Sequence, residues 1–246
     1  MAEIATPFAA PAPQTFDSDV LRGGLLSRLT VVGALLRFRA TIGSDIARER
    51  NLGDYFCSLF LATLLFTAGY GAVLGMYEPG IQILYAGLKL PIVVLGTAML
   101  CIPTFYVFNS ILGSTLNFRQ TVSLVFLMTA AVATILAAFA PIAWFFTVSA
   151  GTEGFLIVLH FAVFAIALLY AERLLAAIRD LLQTATGGTS VPRTFLTLWL
   201  LLVSTVGTQM AWNFRPFLSE GPFVTGTRSL CIEALRPGID GVESKQ

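Results

Sequence analysis

Long apolar blocks separated by short polar connections dominate the chain from residue 55 onward. A helix needs about 20 consecutive apolar residues to cross the hydrocarbon core of a bilayer. Because lipid offers no hydrogen-bond partner, each such block must satisfy its own backbone as a helix. The pattern predicts an all-α fold, an integral membrane bundle of five transmembrane helices, from blocks at 55–76, 90–112, 122–148, 155–170 and 195–214.

The segment before the first block has a different pattern. Its apolar core, Leu29–Leu36, is too short to span a membrane and has arginines on both sides. This is typical of an amphipathic helix in the membrane interface, and we expect one over 21–43. The predicted organisation is a flexible cytoplasmic tail (1–20), an interfacial helix and linker (21–52), a five-helix transmembrane domain (53–216) and a short external C-terminal tail (217–246).

The distribution of basic residues predicts the orientation. With the N-terminus in the cytoplasm, ten of the fifteen Lys and Arg residues lie on the inner side, in agreement with the positive-inside rule. The connections at 77–82 and 149–154 would then lie outside, and neither contains a basic residue. We expect an integral protein of a bacterial inner membrane, with the N-terminus cytoplasmic and the C-terminus, including Cys231, outside.

The composition narrows the possible functions. Charged residues make up 12% of the chain and the formal net charge is +1, which gives no indication of a nucleic-acid partner. The sequence has one histidine, three cysteines without CxxC spacing, no glycine-rich phosphate loop and no GxSxG motif. It therefore offers no recognisable metal centre or soluble-type active site, which favours a protein that is not an enzyme.

Gly71 and Gly75 form a GxxxG motif in the first block. Small residues at this spacing let two membrane helices approach closely, so both glycines are candidates for helix packing. Two interpretations remain open from the sequence. The motif belongs either to packing within one bundle or to the interface of a homo-oligomer.

His160, the only histidine, lies about six residues inside the outer end of the fourth block, or roughly 9 Å deep. A polar residue at that depth typically faces the bundle. One interpretation is a neutral imidazole bonded to a backbone carbonyl or a hydroxyl, and the alternative is a ligand for a haem or a pigment. His160 is thus a candidate for cofactor binding, although the sequence identifies no cofactor.

The last block ends on "QMAWNFRPF", residues 209–217. Gln209 and Asn213 share one helix stripe at four-residue spacing. We expect both to face inward near His160, which is a candidate hydrogen-bond partner for Gln209, and this makes them further candidates for cofactor binding. Trp212 and Arg215 are expected to form an interfacial anchor, because indoles collect at that depth and arginines reach the headgroups.

Lys89 precedes the second block. A lysine at the end of a membrane span usually extends its ammonium group to the interface. We therefore expect the Lys89 side chain to reach the outer headgroups.

From the second block onward the chain resembles a group of uncharacterised bacterial membrane proteins that are similar to the Yip1 family. The similarity covers about residues 55–236 and rests on "LKLPIVVLGTAMLCIPTFYVFNSILG", "FAPIAWFF" and "QMAWNFRPFLSEGPF". Its most specific part is the pattern Trp212-x-x-Arg215-Pro216-Phe217. The resemblance implies five spans, a cytoplasmic N-terminus and a short outer C-terminus. The Asp-x-x-Gly-Pro motif of Yip1 proteins does not occur in the N-terminal half, so their contact with small GTPases is not carried over.

These expectations favour a non-enzymatic scaffold or accessory subunit of a larger membrane complex. Its partners would be the lipid bilayer and either other membrane proteins or further copies of itself. The alternatives are a small transporter or channel subunit, a subunit that binds haem, pigment or quinone, and a membrane enzyme. A transporter would place polar groups near the bilayer midplane, whereas those of this chain gather toward the outer side.

Overall fold

The computed structural model describes residues 16–114, 116–149, 152–186 and 192–218, and these residues are mostly helical. A short 3-10 turn (Ser18–Arg22) precedes seven α-helices in this part of the chain. They are α1 (Leu25–Arg37), α2 (Arg39–Ala47), α3 (Leu52–Gly75), α4 (Ile81–Ile111), α5 (Phe118–Ser149), α6 (Glu153–Thr186) and α7 (Arg193–Asn213). Most of the tails predicted over 1–20 and 217–246, with Cys231, lies outside the described residues.

Helices α3 to α7 are long and apolar enough to cross a membrane. The all-α class and the five predicted spans are therefore confirmed. Two of these helices extend well past their expected bounds. Helix α6 continues to Thr186 instead of ending at Tyr170. Helix α4 begins at Ile81 instead of Leu90, so Gln82 and Lys89 lie within the helix.

Helix α5 is the centre of the bundle. In its most apolar stretch 72% of the residues are buried, the highest fraction among the five spans. Small side chains such as Ala130, Ala131 and Ala133 let its neighbours approach closely. Helices α3 and α6 both pack along α5, whereas α7 lies at the periphery against α4 and α6.

The prediction of a single interfacial helix over 21–43 is wrong. The segment forms two helices, because Phe38 (φ −119°, ψ 33°) leaves the helical conformation and separates α1 from α2. Val31 and Leu35 of α1 and Ile42 and Ile46 of α2 are all buried. The break lets α1 pack mainly on α3 and α2 mainly on α6. Helix α2 also extends into the expected linker, as far as Ala47.

Polar contacts attach this N-terminal layer to the spans. The Gln120 amide of α5 donates to the carbonyls of Ile46 and Ala47, both at 3.1 Å, and so caps the end of α2. Arg22 Nε donates to Asp54 at 3.1 Å, and this bond raises the pKa of the exposed guanidinium above its usual value. The layer is thus held at the ends of α3 and α5 that the positive-inside rule assigns to the cytoplasm.

The GxxxG motif lies in the contact between α3 and α4. A Cβ atom at Gly71 would come within 2.4 Å of the Ala86 carbonyl oxygen, and one at Gly75 within 2.6 Å of the Gln82 carbonyl oxygen. Backbone atoms cannot move aside as a flexible side chain does. The two glycines are therefore required for packing within this bundle, which is the first of the two interpretations left open by the sequence.

We predict that Gly71→Ala lowers the free energy of unfolding by about 1–3 kcal/mol, the usual cost of overpacking a close contact. Gly69→Ala is the matched control, because a Cβ atom at Gly69 meets nothing within 4 Å. Alanine also has the higher helix propensity, so the control should unfold at the same or a higher denaturant concentration. Equal destabilisation in both variants would contradict the assigned contact. The measurement is denaturant unfolding in mild detergent, followed by circular dichroism.

Candidate functional site

His160 of α6 pairs with Tyr70 of α3. The Tyr70 hydroxyl lies 2.8 Å from Nδ1 of His160, and both side chains are buried, with 0% and 6% of their surface exposed. The Tyr70 ring also packs edge-on against His160 and Phe164, at centroid distances of 5.6 and 6.2 Å. The imidazole faces into the bundle and bonds to a hydroxyl, as the first interpretation of the sequence expected.

The Nε2 atom of the same ring is buried and has no hydrogen-bond partner among the described residues. The candidate bond between Gln209 and His160 is therefore not formed, since Nδ1 belongs to Tyr70 and Nε2 receives no amide. Gln209 and Asn213 are half-buried near the C-terminal end of α7. The physical reason is that the Tyr70 hydroxyl reaches His160 from α3 and occupies one of its two ring nitrogens.

The prediction that the Lys89 side chain reaches the headgroups is wrong. Its side chain has no exposed surface, and Nζ donates to the Pro216 carbonyl at 2.8 Å. Gln82, seven residues earlier on the same face of α4, donates to the same oxygen at 3.2 Å. The chain after α7 folds over the first part of α4, so a carbonyl takes the place that headgroups were expected to hold. We call Gln82, Lys89 and Pro216 the outer clasp, after the side of the membrane that the sequence predicts for them.

Aromatic rings surround the outer clasp. Lys89 Nζ lies 5.9 Å from the ring centres of both Tyr85 and Phe217. This is within the range of cation–π attraction. A buried ammonium group needs such partners, because leaving it unpaired in an apolar interior is strongly unfavourable.

Trp212 and Arg215 interact with each other. The guanidinium carbon of Arg215 lies 3.8 Å from the centre of the Trp212 ring, a close cation–π stack one helical turn apart. Both residues are half-buried. The stack is compatible with the predicted interfacial anchor, whose depth in a bilayer stays a prediction.

Another polar region lies at the opposite end of the bundle. A cleft of about 860 Å³ opens between the 3-10 turn and α2, and its walls include the acidic residues Asp17, Asp19, Asp45 and Glu49 and the basic residues Arg48 and Arg50. One of these residues, Asp45, is buried and accepts a hydrogen bond from the Tyr55 hydroxyl at 2.8 Å. The mixed charges of the walls indicate no single class of ligand.

The described residues contain no group of three or more His, Cys, Asp or Glu side chains placed to hold a metal ion. A haem iron could only take Nε2 of His160 as a ligand, because Nδ1 is engaged with Tyr70. To bind iron, Nε2 would have to carry a free lone pair.

Sequence reasoning missed Tyr70 and Pro216. Nothing in the sequence distinguishes Tyr70 from a tyrosine that faces lipid. The heptad spacing of Gln82 and Lys89 was a usable signal, since it places two polar side chains on one helix face. The carbonyl of Pro216 carries no sequence signal at all.

Fold and site together define an all-α membrane protein with five spans, in which the Tyr70–His160 bond and the contacts of Gln82 and Lys89 with Pro216 lie at the same end of the bundle. No family model, no curated protein and no solved structure matches this chain. Its resemblance to Yip1-like proteins therefore stays a prediction from the sequence.

We predict that Lys89→Met loosens the segment after α7, because it removes the cationic donor to Pro216. Amide hydrogen exchange over residues 214–218 should become about tenfold faster or more, since a hydrogen bond to a charged group contributes about 1.5–3 kcal/mol. Leu88→Met introduces the same side chain at the neighbouring, exposed position and should leave exchange unchanged. Unchanged exchange in Lys89→Met would show that the outer clasp does not hold this segment. The rates are measured by mass spectrometry in detergent.

Proposed function

We propose that this protein is a non-enzymatic scaffold or accessory subunit of a larger membrane complex, and that its partner packs against α7. The observation that carries the proposal is the burial of α7. Only 11% of its most apolar stretch is buried, compared with 28–72% for the other four spans. Most of this helix is thus left to lipid or to another protein.

The exposed face of α7 is suited to a helix partner. Its residues recur at alternating spacings of four and three, the repeat by which two helices interlock. We call this row the α7 stripe; it consists of Thr194, Leu198, Leu201, Thr205 and Thr208. Thr205 and Thr208 donate to carbonyls of their own helix at 2.9 and 2.8 Å, so they need no polar partner. What they offer is small size, which lets a second backbone approach.

The transporter alternative receives less support. Transporters typically contain broken helices around a site at the bilayer midplane. Each of the five spans described here is one continuous helix, even where α4 contains Pro91 and Pro103. Tyr70, Lys89 and His160 each lie in the third of their helix nearest one end, and Pro216, which Lys89 binds, lies just beyond α7.

We predict that Leu201→Trp dissociates the complex. A large ring at an exposed position (63%) would separate the α7 stripe from its partner without entering the core. Leu100→Trp on α4 is the control, since Leu100 is also exposed (60%) and lies outside the stripe. After purification in mild detergent, native mass spectrometry should detect the same larger assembly for the wild type and Leu100→Trp, and only the single chain for Leu201→Trp.

The masses also identify the partner, because a multiple of the chain mass means a homo-oligomer and any other sum means a different protein. Three results contradict the proposal. They are a wild-type protein with the mass of a single chain, an assembly that persists in Leu201→Trp, and an assembly that both substitutions dissociate equally.

We further propose a bacterial inner membrane with the N-terminus in the cytoplasm, which the Yip1-like resemblance also implies. The support is electrostatic. Arg37, Arg48, Arg50, Arg119 and Arg173 are all exposed at the end of the bundle where α3 and α5 begin. The connection between α3 and α4 at the other end carries no basic residue.

We predict that a membrane-impermeant thiol reagent labels Pro79→Cys in intact cells, in a background without native cysteines. Pro79 lies exposed between α3 and α4, which the orientation places outside. Arg48→Cys in the same background is exposed at the other end and should be labelled only after lysis. The reverse result would mean the opposite orientation. Native Cys231, restored alone, should behave like Pro79→Cys.

A further inference from the structure

The unpartnered nitrogen of His160 lies beside a fixed hydrogen bond, and the two together indicate a ligand. The Tyr70 hydroxyl has the His160 ring as its hydrogen-bond partner in the described part of the chain, at Nδ1. The opposite nitrogen, Nε2, is buried and makes no hydrogen bond there. A buried polar group left in this state costs about 1–3 kcal/mol, so it calls for an explanation.

Counting donors and acceptors assigns the tautomer of the neutral ring. If Tyr70 donates its proton to Nδ1, then Nε2 carries the ring proton, and one donor is left unsatisfied. If Nδ1 instead donates to the phenol oxygen, the phenol proton and the Nε2 lone pair are both left over. The first arrangement leaves fewer buried groups without partners, so Tyr70 fixes His160 as an Nε2–H donor.

The Nε2–H tautomer determines which kind of group can bind there, because an N–H donor needs an acceptor. A metal or haem iron needs the lone pair of Nε2, which the proton occupies. Nε2 is closed to the surface in this structure, so any acceptor has to come between the side chains that now enclose it. What satisfies an N–H group in an apolar setting is an acceptor oxygen on an otherwise apolar molecule.

The place of the pair in the bundle agrees with a ligand that comes from lipid. Among the described residues, α3 packs on α4 and α5 and α6 packs mainly on α5, so the Tyr70–His160 bond joins two helices that hardly touch each other. Phe161, the next residue on α6, is 64% exposed, and only 28% of the α6 span is buried. An apolar molecule in the bilayer could therefore reach His160 by displacing side chains, without crossing the bundle.

We propose that His160 Nε2–H, oriented by Tyr70, binds the carbonyl oxygen of an apolar membrane ligand. Two sources offer this chemistry, the ring carbonyl of a quinone and the ester carbonyl of a phospholipid. The proposal does not depend on the partner of α7. His160 is the binding residue and Tyr70 a positioning residue.

Nitrogen NMR tests this directly, because His160 is the only histidine and gives a single pair of ring signals. The full chain, labelled with ¹⁵N-histidine, is placed in vesicles of ether-linked phospholipid, which lacks ester carbonyls. We expect a protonated Nε2 and an unprotonated Nδ1. Adding a quinone, or replacing the lipid by its ester-linked equivalent, should shift the Nε2 signal while Nδ1 stays in place.

The two additions distinguish the source. A shift with ester-linked lipid alone assigns the phospholipid, and a shift that requires the quinone assigns the quinone. Tyr70→Phe should weaken the preference for the Nε2–H tautomer and reduce the shift. Tyr55→Phe removes another buried tyrosine hydroxyl from the same helix and should change neither. An unprotonated Nε2 in the wild type, or an Nε2 signal that is identical in all three vesicle preparations, would overturn the proposal.

Discussion

A polar group in hydrocarbon must find its partner inside the protein, and the rest of this structure depends on that requirement. Most hydroxyls meet it locally. Thr63, Thr67, Thr129, Thr134 and Thr147 each donate to the carbonyl four residues earlier, at 2.6–2.8 Å. Such a residue needs nothing from another helix. Hydrogen bonds between spans are therefore left to the few long polar side chains, which determine where distant parts of the chain meet.

Because hydrogen bonds between spans are few, close packing has to hold the helices together. The closest contact is that of α3 with α4, where Gly71 and Gly75 place two backbones against each other. A looser version joins α4 to α7, where a Cβ atom at Gly96 would lie 3.1 Å from the end of the Met210 side chain. A methionine can move aside and a backbone carbonyl cannot. The α3–α4 contact accordingly tolerates a larger side chain less well than the α4–α7 contact does.

The parts of this fold that the sequence predicts are those that a helix determines by itself. Length and hydropathy identify the five spans, and the spacing of Gly71 and Gly75 identifies a packing face. The partners of His160 and Lys89 are different, since they depend on which helix lies opposite and at what depth. Gln209 seemed suitable for His160 because both lie near outer ends, but depth alone does not make two residues neighbours. The break at Phe38 was missed because the apolar positions of α1 and α2 read as one amphipathic run.

The two buried polar pairs have unequal consequences for α7. The Tyr70–His160 bond joins α3 to α6, which α5 already holds in place. The outer clasp joins α4 to the chain just beyond α7, the span with the least buried surface. An apolar helix with few contacts is free to tilt or rotate in a bilayer unless something fixes its ends. Lys89 and Gln82 provide that restraint, so the direction in which the α7 stripe faces depends on two polar side chains of another span. Burying a lysine in a membrane protein costs free energy. In this structure the buried lysine fixes the orientation of α7.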